Sequence, residues 1–278
     1  MKKNLIDLMR TCIDVRRDVL EMVKRSGSGH IGGSFSAVEA LVALYFHEMN
    51  VDPKNPRWED RDRFVLSKGH ACPTLYSILA RKGFFPSEEL KSLRKLGGYL
   101  QGHPHVSIDG IEMSTGSLAL GFSPAVGMAL AAKLKQKSYR TYALLGDGEL
   151  AEGQIWEALM FAGHYNLDNL VAIVDYNKLQ TDDFNTLIMD LEPLLDKFKS
   201  FGWYAMEVNG HDIDGLIFAL NNARKIKKRP AMIVAHTIKG CGISFMEDDP
   251  KWHGSRAPTD EEFKLAIEEL EMEHDSLT

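Results

Sequence analysis

From residue 139 onward the chain alternates two periodicities. Apolar runs of strand type recur at Tyr142 to Leu145, Leu170 to Val174, Trp203 to Val208 and Met232 to Ala235. Helical patterns fill the gaps at Glu152 to His164, Leu191 to Ser200 and Asp212 to Ile226. Strands that alternate with helices pair in parallel, because each helix carries the chain back across a face of the sheet by a right-handed crossover. The predicted fold class is therefore α/β, a doubly wound and mostly parallel sheet with helices on both faces. Sheets of this kind bind ligands beyond the carboxyl ends of their strands.

The first half of the chain reads onto the same plan. Leu5 to Val23 has apolar side chains at helical spacing, and a second helix is predicted from Ser36, where Ser36 and Glu39 have capping-box spacing. The intervening Ser26-Gly27-Ser28-Gly29-His30-Ile31-Gly32-Gly33 carries too many glycines for a helix or strand interior and is predicted as a loop that brings main chain close to a ligand. A short strand at Arg63 to Leu66 ends in Ser67-Lys68-Gly69-His70, followed by a helix from near Pro73. Ser87 to Leu96 is predicted as a short charged helix, and Gly97 to Gly110 as a loop holding Gln101-Gly102-His103-Pro104-His105. Thr259 to Glu273 closes the chain as an acidic helix. No linker or internal repeat interrupts the pattern, so residues 1–278 are expected to form one domain.

Composition narrows the chemistry. With 33 basic and 39 acidic side chains among 278 residues the formal charge is −6, which lacks the row of cations that phosphate backbones require, so no nucleic-acid partner is expected. The apolar stretches are short or interrupted, which predicts no membrane span. Charges at Lys2, Lys3, Asp7, Arg10 and Asp14 break any signal-peptide core, and the expected location is cytoplasmic. Cys12, Cys72 and Cys241 are far apart in sequence and are expected to be buried thiols.

The sharpest local signal is Gly146-Asp147-Gly148, directly after the run Ala143-Leu144-Leu145 and before a helix. A carboxylate there projects from the carboxyl end of a strand, at a turn whose glycines admit a ligand to the main chain. One βαβ unit later the next strand ends in Val174-Asp175-Tyr176-Asn177. If the two strands are neighbours, their ends lie about 5 Å apart, so Asp147 and Asn177 can share a cation. Magnesium takes oxygen ligands, commonly one or two from protein and the rest from phosphates and water. A main-chain carbonyl at Leu179 would complete the protein's share.

These motifs resemble those of the transketolase family. Gly146-Asp147-Gly148 with Glu149, Glu152 and Gly153, closed by Asp175 to Gln180, looks like its thiamine diphosphate and metal motif. Ser28-Gly29-His30, Ser67 to Ala71, Gly102-His103-Pro104, Ser114 to Leu118, Thr237 to Gly240 and Trp252-His253-Gly254 resemble further family loops, in the same order along nearly the whole chain. The resemblance implies the thiamine diphosphate-binding fold in its diphosphate-binding (PP) form. It implies thiamine diphosphate as cofactor with Mg²⁺, Ca²⁺ or Mn²⁺, and Asp147, Asn177 and Leu179 as metal ligands. It also implies cofactor contacts from His70, Gly116, Leu118, Asp147, Gly148, Asn177, Lys239 and His253, with Glu152 at a subunit interface near the cofactor. His30, His103 and His253 would hydrogen-bond hydroxyls of the sugar donor. His47, His164, His211, His236 and His274 stand outside such glycine loops and are read as ordinary core or surface residues.

Family enzymes activate the cofactor with a glutamate from a second, pyrimidine-binding domain, and this chain stops after the diphosphate half. The resemblance therefore implies the amino-terminal subunit of a split transketolase. A carboxy-terminal partner subunit would supply that domain, like chains would pair into a heterotetramer, and sugar phosphates would be the substrates. Half of another thiamine diphosphate enzyme, of the deoxyxylulose phosphate synthase or 2-oxo acid dehydrogenase type, is an alternative, as is a non-catalytic cofactor-binding subunit. Five positions depart from the family pattern: Ala119 and Leu120 replace a glycine and a polar residue, His105 an acidic residue, Cys241 a frequently basic one, and Asp183 a common glycine.

Overall fold

The computed structural model describes residues 4–181 and 183–277. Five parallel strands form one sheet in the order β1-β2-β3-β5-β4: β1 (Arg63–Leu66), β2 (Thr141–Gly146), β3 (Leu170–Tyr176), β4 (Tyr204–Asn209) and β5 (Ala231–His236). Among the described residues ten α-helices surround it: α1 (Leu5–Ser26), α2 (Ile31–Phe35), α3 (Val38–Ala43), α4 (Cys72–Lys82), α5 (Phe122–Leu134), α6 (Gly153–His164), α7 (Asn185–Ile188), α8 (Leu194–Ser200), α9 (Ile213–Lys225) and α10 (Asp260–Ser276). The doubly wound α/β architecture is the one that the alternation demands.

The period of two divides each central strand between two cores. Tyr142, Leu144, Val171, Ile173 and Ile233 pack beneath α1, α3, α4, α9 and α10. Ala143, Leu145, Ala172, Val174, Met232 and Val234 pack on the opposite face against α5, α6 and α8. Strands buried on both faces read as continuous apolar runs, which is why β2, β3 and β5 stood out in the sequence. Among the described residues no helix is long and apolar enough to cross a membrane.

Four expectations are corrected. Ile31–Phe35 is a helical turn, so Gly32 and Gly33 sit inside a helix. Close packing explains their presence: a Cβ on Gly32 would lie 2.8 Å from the Trp252 carbonyl oxygen, and one on Gly33 would lie 3.3 Å from His70. Ser36 does not start the following helix, since α3 begins at Val38 with Ala37 at its N-cap; Ser36 instead ends α2, and its buried hydroxyl donates to Asp175 at 2.6 Å, while Glu39 pairs with Arg16 and His211. Ser87–Ser92 is a 3₁₀ turn in place of a charged helix reaching Leu96. Cys241 is only partly buried, unlike Cys12 and Cys72.

Candidate active site at the carboxyl ends of the strands

β2 and β3 are neighbours, with Gly146 opposite Asp175, so the residues that follow them meet at one sheet edge. Asp147 is 2% exposed. Its Oδ1 accepts from the Gly148 N–H at 2.8 Å, and its Oδ2 from the Lys178 N–H at 2.5 Å and the Asn185 amide at 2.9 Å. Lys178 reaches that position through a left-handed backbone, φ 64°. Burial, with the charge of Asp175, pushes the Asp147 carboxyl up to about 6 despite these donors. A buried carboxylate so disfavoured as an anion gains from an adjacent cation.

Asn177 is buried, and its side-chain oxygen accepts from the Leu179 N–H at 3.1 Å. The Leu179 carbonyl accepts from the Lys239 ammonium at 3.0 Å. Among the described residues no three His, Cys, Asp or Glu side chains cluster as metal ligands, so a cation here would depend on oxygens of mixed kind. Asp147, Asn177 and the Leu179 carbonyl supply hard oxygen donors of the sort magnesium prefers.

One cleft gathers His30, His70, His103, Gly116, Leu118, Asp147, Gly148, Asn177, Leu179, Lys239 and His253. Of the residues expected at a site, Glu152 alone lies outside it, exposed at the start of α6 with no side-chain capping bond. The imidazoles cluster: ring centroids of His30 lie 5.2 Å from His70, 6.4 Å from His103 and 5.9 Å from His253. Burial, reinforced by neighbouring cations, lowers all four; His30 falls to about 4 and His253 to about 3. They are neutral at pH 7 and available as hydrogen-bonding groups. His211 and His236, outside the cleft, instead face Glu39 and Glu207.

Sequence reasoning missed several groups. Lys68 is buried in the cleft, where its ammonium donates to the Gly33 carbonyl at 2.9 Å and pairs with Asp175. Its place between a strand end and Gly69-His70 was the available signal. Glu149 accepts from Ser67, from the Ala119 N–H at 2.6 Å and from the Gly146 N–H at 3.0 Å. Asn185, at the start of α7, and Arg94, on the segment after Ser92, carry no local sequence signal of a site. The Gln180 side-chain amide nitrogen is buried without a hydrogen-bond partner, an unused donor in the cleft lining. With the cations Lys68 and Lys239 and the oxygens above, this lining fits a diphosphate accompanied by a divalent cation.

The departures from the family pattern also have locations. Ala119 holds the left-handed conformation, φ 69°, that glycine would adopt, and keeps its N–H on Glu149. Leu120 is exposed. His105 bonds Ser107 at 2.8 Å, Cys241 accepts through its carbonyl from Arg16, and Asp183 accepts from the Phe184 N–H.

The family of transketolase thiamine diphosphate-binding domains matches residues 9–277. The chain is 47% identical to the 6-deoxy-6-sulfo-D-fructose transketolase subunit SqwG of Clostridium sp. (strain MSTE9), over 98% of this chain and 99% of that one. It is 43% identical to an apulose-4-phosphate transketolase subunit of Phocaeicola vulgatus, over 92% and 90%. Human transketolase is 42% identical over 92% of this chain but 41% of its own length. The solved transketolase of Campylobacter jejuni superimposes with a TM-score of 0.86 at 31% identity, covering 99% of this chain and 48% of that one. The chain thus spans nearly all of two bacterial subunits and under half of the single-chain enzymes.

Proposed function

The chain belongs to the transketolase family through its thiamine diphosphate-binding domain, and from that premise we propose that it is the amino-terminal, diphosphate-binding subunit of a split transketolase. In this reading residues 1–278 form the PP unit, and a carboxy-terminal partner subunit carries the pyrimidine-binding domain and its activating glutamate. Like chains pair, so the working assembly is a cytoplasmic heterotetramer. Coverage supports the division, since the chain aligns with whole subunits in two bacteria and with less than half of the single-chain enzymes.

Bound thiamine diphosphate supplies a carbon nucleophile at its thiazolium ring, which also accepts the electrons left by carbon-carbon cleavage. Asp147, Asn177 and the Leu179 carbonyl would hold a divalent cation, Mg²⁺ or in its place Ca²⁺ or Mn²⁺. Lys239 and His70 would face the diphosphate, and the main chain at Gly148 and Gly116 allows close approach. A Cβ at Gly148 would lie 3.0 Å from Gln180, and one at Gly116 3.2 Å from His103, so a side chain at either position would crowd a residue that lines the cleft. Leu118 offers an apolar contact, and Glu152 remains outside the cleft for the subunit interface. His30, His103 and His253 would orient the donor's hydroxyls, since neutral imidazoles can both give and take hydrogen bonds.

The observation that carries this reading is the convergence of Asp147 and Asn177, from adjacent strand ends, on a cleft with four neutral imidazoles. Several imidazoles suit a polyol better than a 2-oxo acid, which presents one carbonyl and a carboxylate. The two bacterial relatives are named for ketoses bearing a sulfonate or a phosphate, so the proposed donor is a ketose with a terminal anionic group. The test is ketol transfer from ketose phosphates and sulfonates, with pyruvate in parallel, by this chain alone and with its partner subunit. Transfer is expected only with the partner; robust transfer by the chain alone, or turnover of pyruvate only, would overturn the proposal.

A further inference from the structure

Arg94 lies on the segment between the 3₁₀ turn at Ser87–Ser92 and Gly102, in a left-handed conformation with φ 57°. Its guanidinium spans to the loop between α1 and α2. Nη1 donates to the Ser28 hydroxyl at 3.1 Å, and Nη2 lies 3.3 Å from Nδ1 of His30. A guanidinium has five N–H donors, no acceptor and a permanent charge. The direction of the contact is therefore fixed: Arg94 donates and Nδ1 accepts. A neutral imidazole whose Nδ1 is bare carries its proton on Nε2.

The Nε2 edge is turned toward Gly254, where a Cβ would stand 2.9 Å from that nitrogen. Glycine there keeps the edge unobstructed at the cleft, and among the described residues no hydrogen bond is made to Nε2. His30 thus has one nitrogen occupied by a cationic donor and the other left for a ligand.

We propose that Arg94 is a positioning residue that locks His30 as its Nε2–H tautomer, so that His30 donates a hydrogen bond to an oxygen of the donor sugar and does not act as a base. This rests on the cleft being the ketol-transfer site proposed above. The electrostatics agree with the geometry. Burial, and then the charge of Arg94, lowers His30 to about 4, and His103, Lys68 and Lys239 act in the same direction, with the rings of His70 and His253 packed alongside. Protonating Nδ1 would set an imidazolium against a guanidinium, which disfavours the doubly protonated ring. A substrate atom that can only donate would then find no acceptor at this position.

The test is a two-bond ¹⁵N–¹H correlation spectrum of the full chain labelled at histidine, recorded from pH 8 to 5, with His30→Gln identifying the signal. In the wild type His30 is expected with Nδ1 unprotonated and Nε2 protonated throughout. In Arg94→Met, Nδ1 takes up a proton within that range as the titration moves toward the ordinary histidine value of about 6.5. Arg94→Lys, which keeps a cationic donor, should resemble the wild type. A wild-type spectrum with the proton on Nδ1 overturns the inference whether or not any variant folds, and so does an Arg94→Met spectrum identical to wild type. With the partner subunit, Arg94→Met should lower kcat/KM for the ketose about tenfold, a change of roughly 1.4 kcal/mol, with cofactor affinity within about twofold of wild type, and Arg94→Lys should recover most of the loss. A loss that lysine fails to restore also overturns it. Absence of any ketol transfer would defeat the functional reading while the spectrum still decides the tautomer.

Discussion

The ammonium of Lys239 bridges the Leu179 carbonyl at 3.0 Å and Nδ1 of His253 at 2.7 Å. One buried cation thus ties a proposed metal-coordinating carbonyl to a proposed substrate-binding imidazole, across loops that follow β3 and β5. A carbonyl oxygen has two lone pairs, so this bond leaves the Leu179 oxygen a second direction. Replacing Lys239 with Met removes a charge-assisted donor proposed to face the diphosphate, a contact worth about 1.5–3 kcal/mol. Affinity for thiamine diphosphate with magnesium, measured by calorimetry on the chain with its partner, should fall roughly 10- to 100-fold. Unchanged affinity would remove Lys239 from the diphosphate site.

Asp147 bears on the proposed metal. Its two oxygens already accept three protein hydrogen bonds, and an ionised carboxylate has about four acceptor directions, so one remains for a cation. Asp147→Asn preserves the shape and removes the charge. Thermal stabilisation by magnesium and thiamine diphosphate, about 2.7 kcal/mol for the wild type at a hundredfold excess over Kd, should vanish in the variant. Chelation of the metal should abolish it in the wild type. A variant stabilised as strongly as the parent would show that Asp147 holds no cation.

How much of this site could be read from the chain depends on distance in sequence. Asp147 and Asn177 were legible because each follows closely on an apolar run and stands one residue past the end of its strand, and a parallel sheet brings all such ends to one edge. The placement of β5 beside β3, with β4 outermost, was not legible, since no local signal encodes strand order. Ser36 had the spacing of a cap, yet it is buried beside Asp175 and donates to that carboxylate across 139 positions. Lys68 reaches the same carboxylate across 107. Gly32 and Gly33 suggested an open loop because backbone entropy disfavours glycine in helices; contact with Trp252 and His70, visible only in three dimensions, overrides that preference.

The lowered imidazoles make folding pH-dependent. In the unfolded chain His30, His70 and His253 would titrate near 6.5, whereas in the folded chain they bind protons only at lower pH, His30 near 4 and His253 near 3. Below about pH 6.5 these three imidazoles hold more protons in the unfolded state than in the folded state, so their contribution to stability decreases as pH falls from 6.5 toward 4. Solvent screens the partly exposed rings, which leaves a loss of about 1–2 kcal/mol over the first unit. Urea unfolding at pH 7.0 and 5.5 would measure it, and His253→Gln should flatten the slope. Asp147, pushed up to about 6, and His211, pushed up to about 10 beside Glu39, act in the opposite direction, so the deciding comparison is with the variant: a His253→Gln protein whose pH dependence matches that of the wild type would contradict the neutral cluster.

Glu149 is the support beneath the turn that carries Leu118. Its carboxylate takes three donors, from Ser67, Ala119 and Gly146, and so joins the ends of β1 and β2 to a residue held at φ 69°. A non-glycine residue in that conformation costs about 1–2 kcal/mol, which the fixed N–H bond of Ala119 helps to offset. In Glu149→Gln one of the two side-chain atoms becomes an NH₂ group, so at least one of the three donors meets another donor. A buried donor left unpaired costs about 1–3 kcal/mol. The variant should therefore unfold about 2 kcal/mol more easily than the wild type, and as the Leu118 turn relaxes it should bind thiamine diphosphate several-fold more weakly. Denaturant titration and calorimetry on the same preparation separate the two effects. A variant of wild-type stability and affinity would mean that the Ala119 turn holds its shape without Glu149.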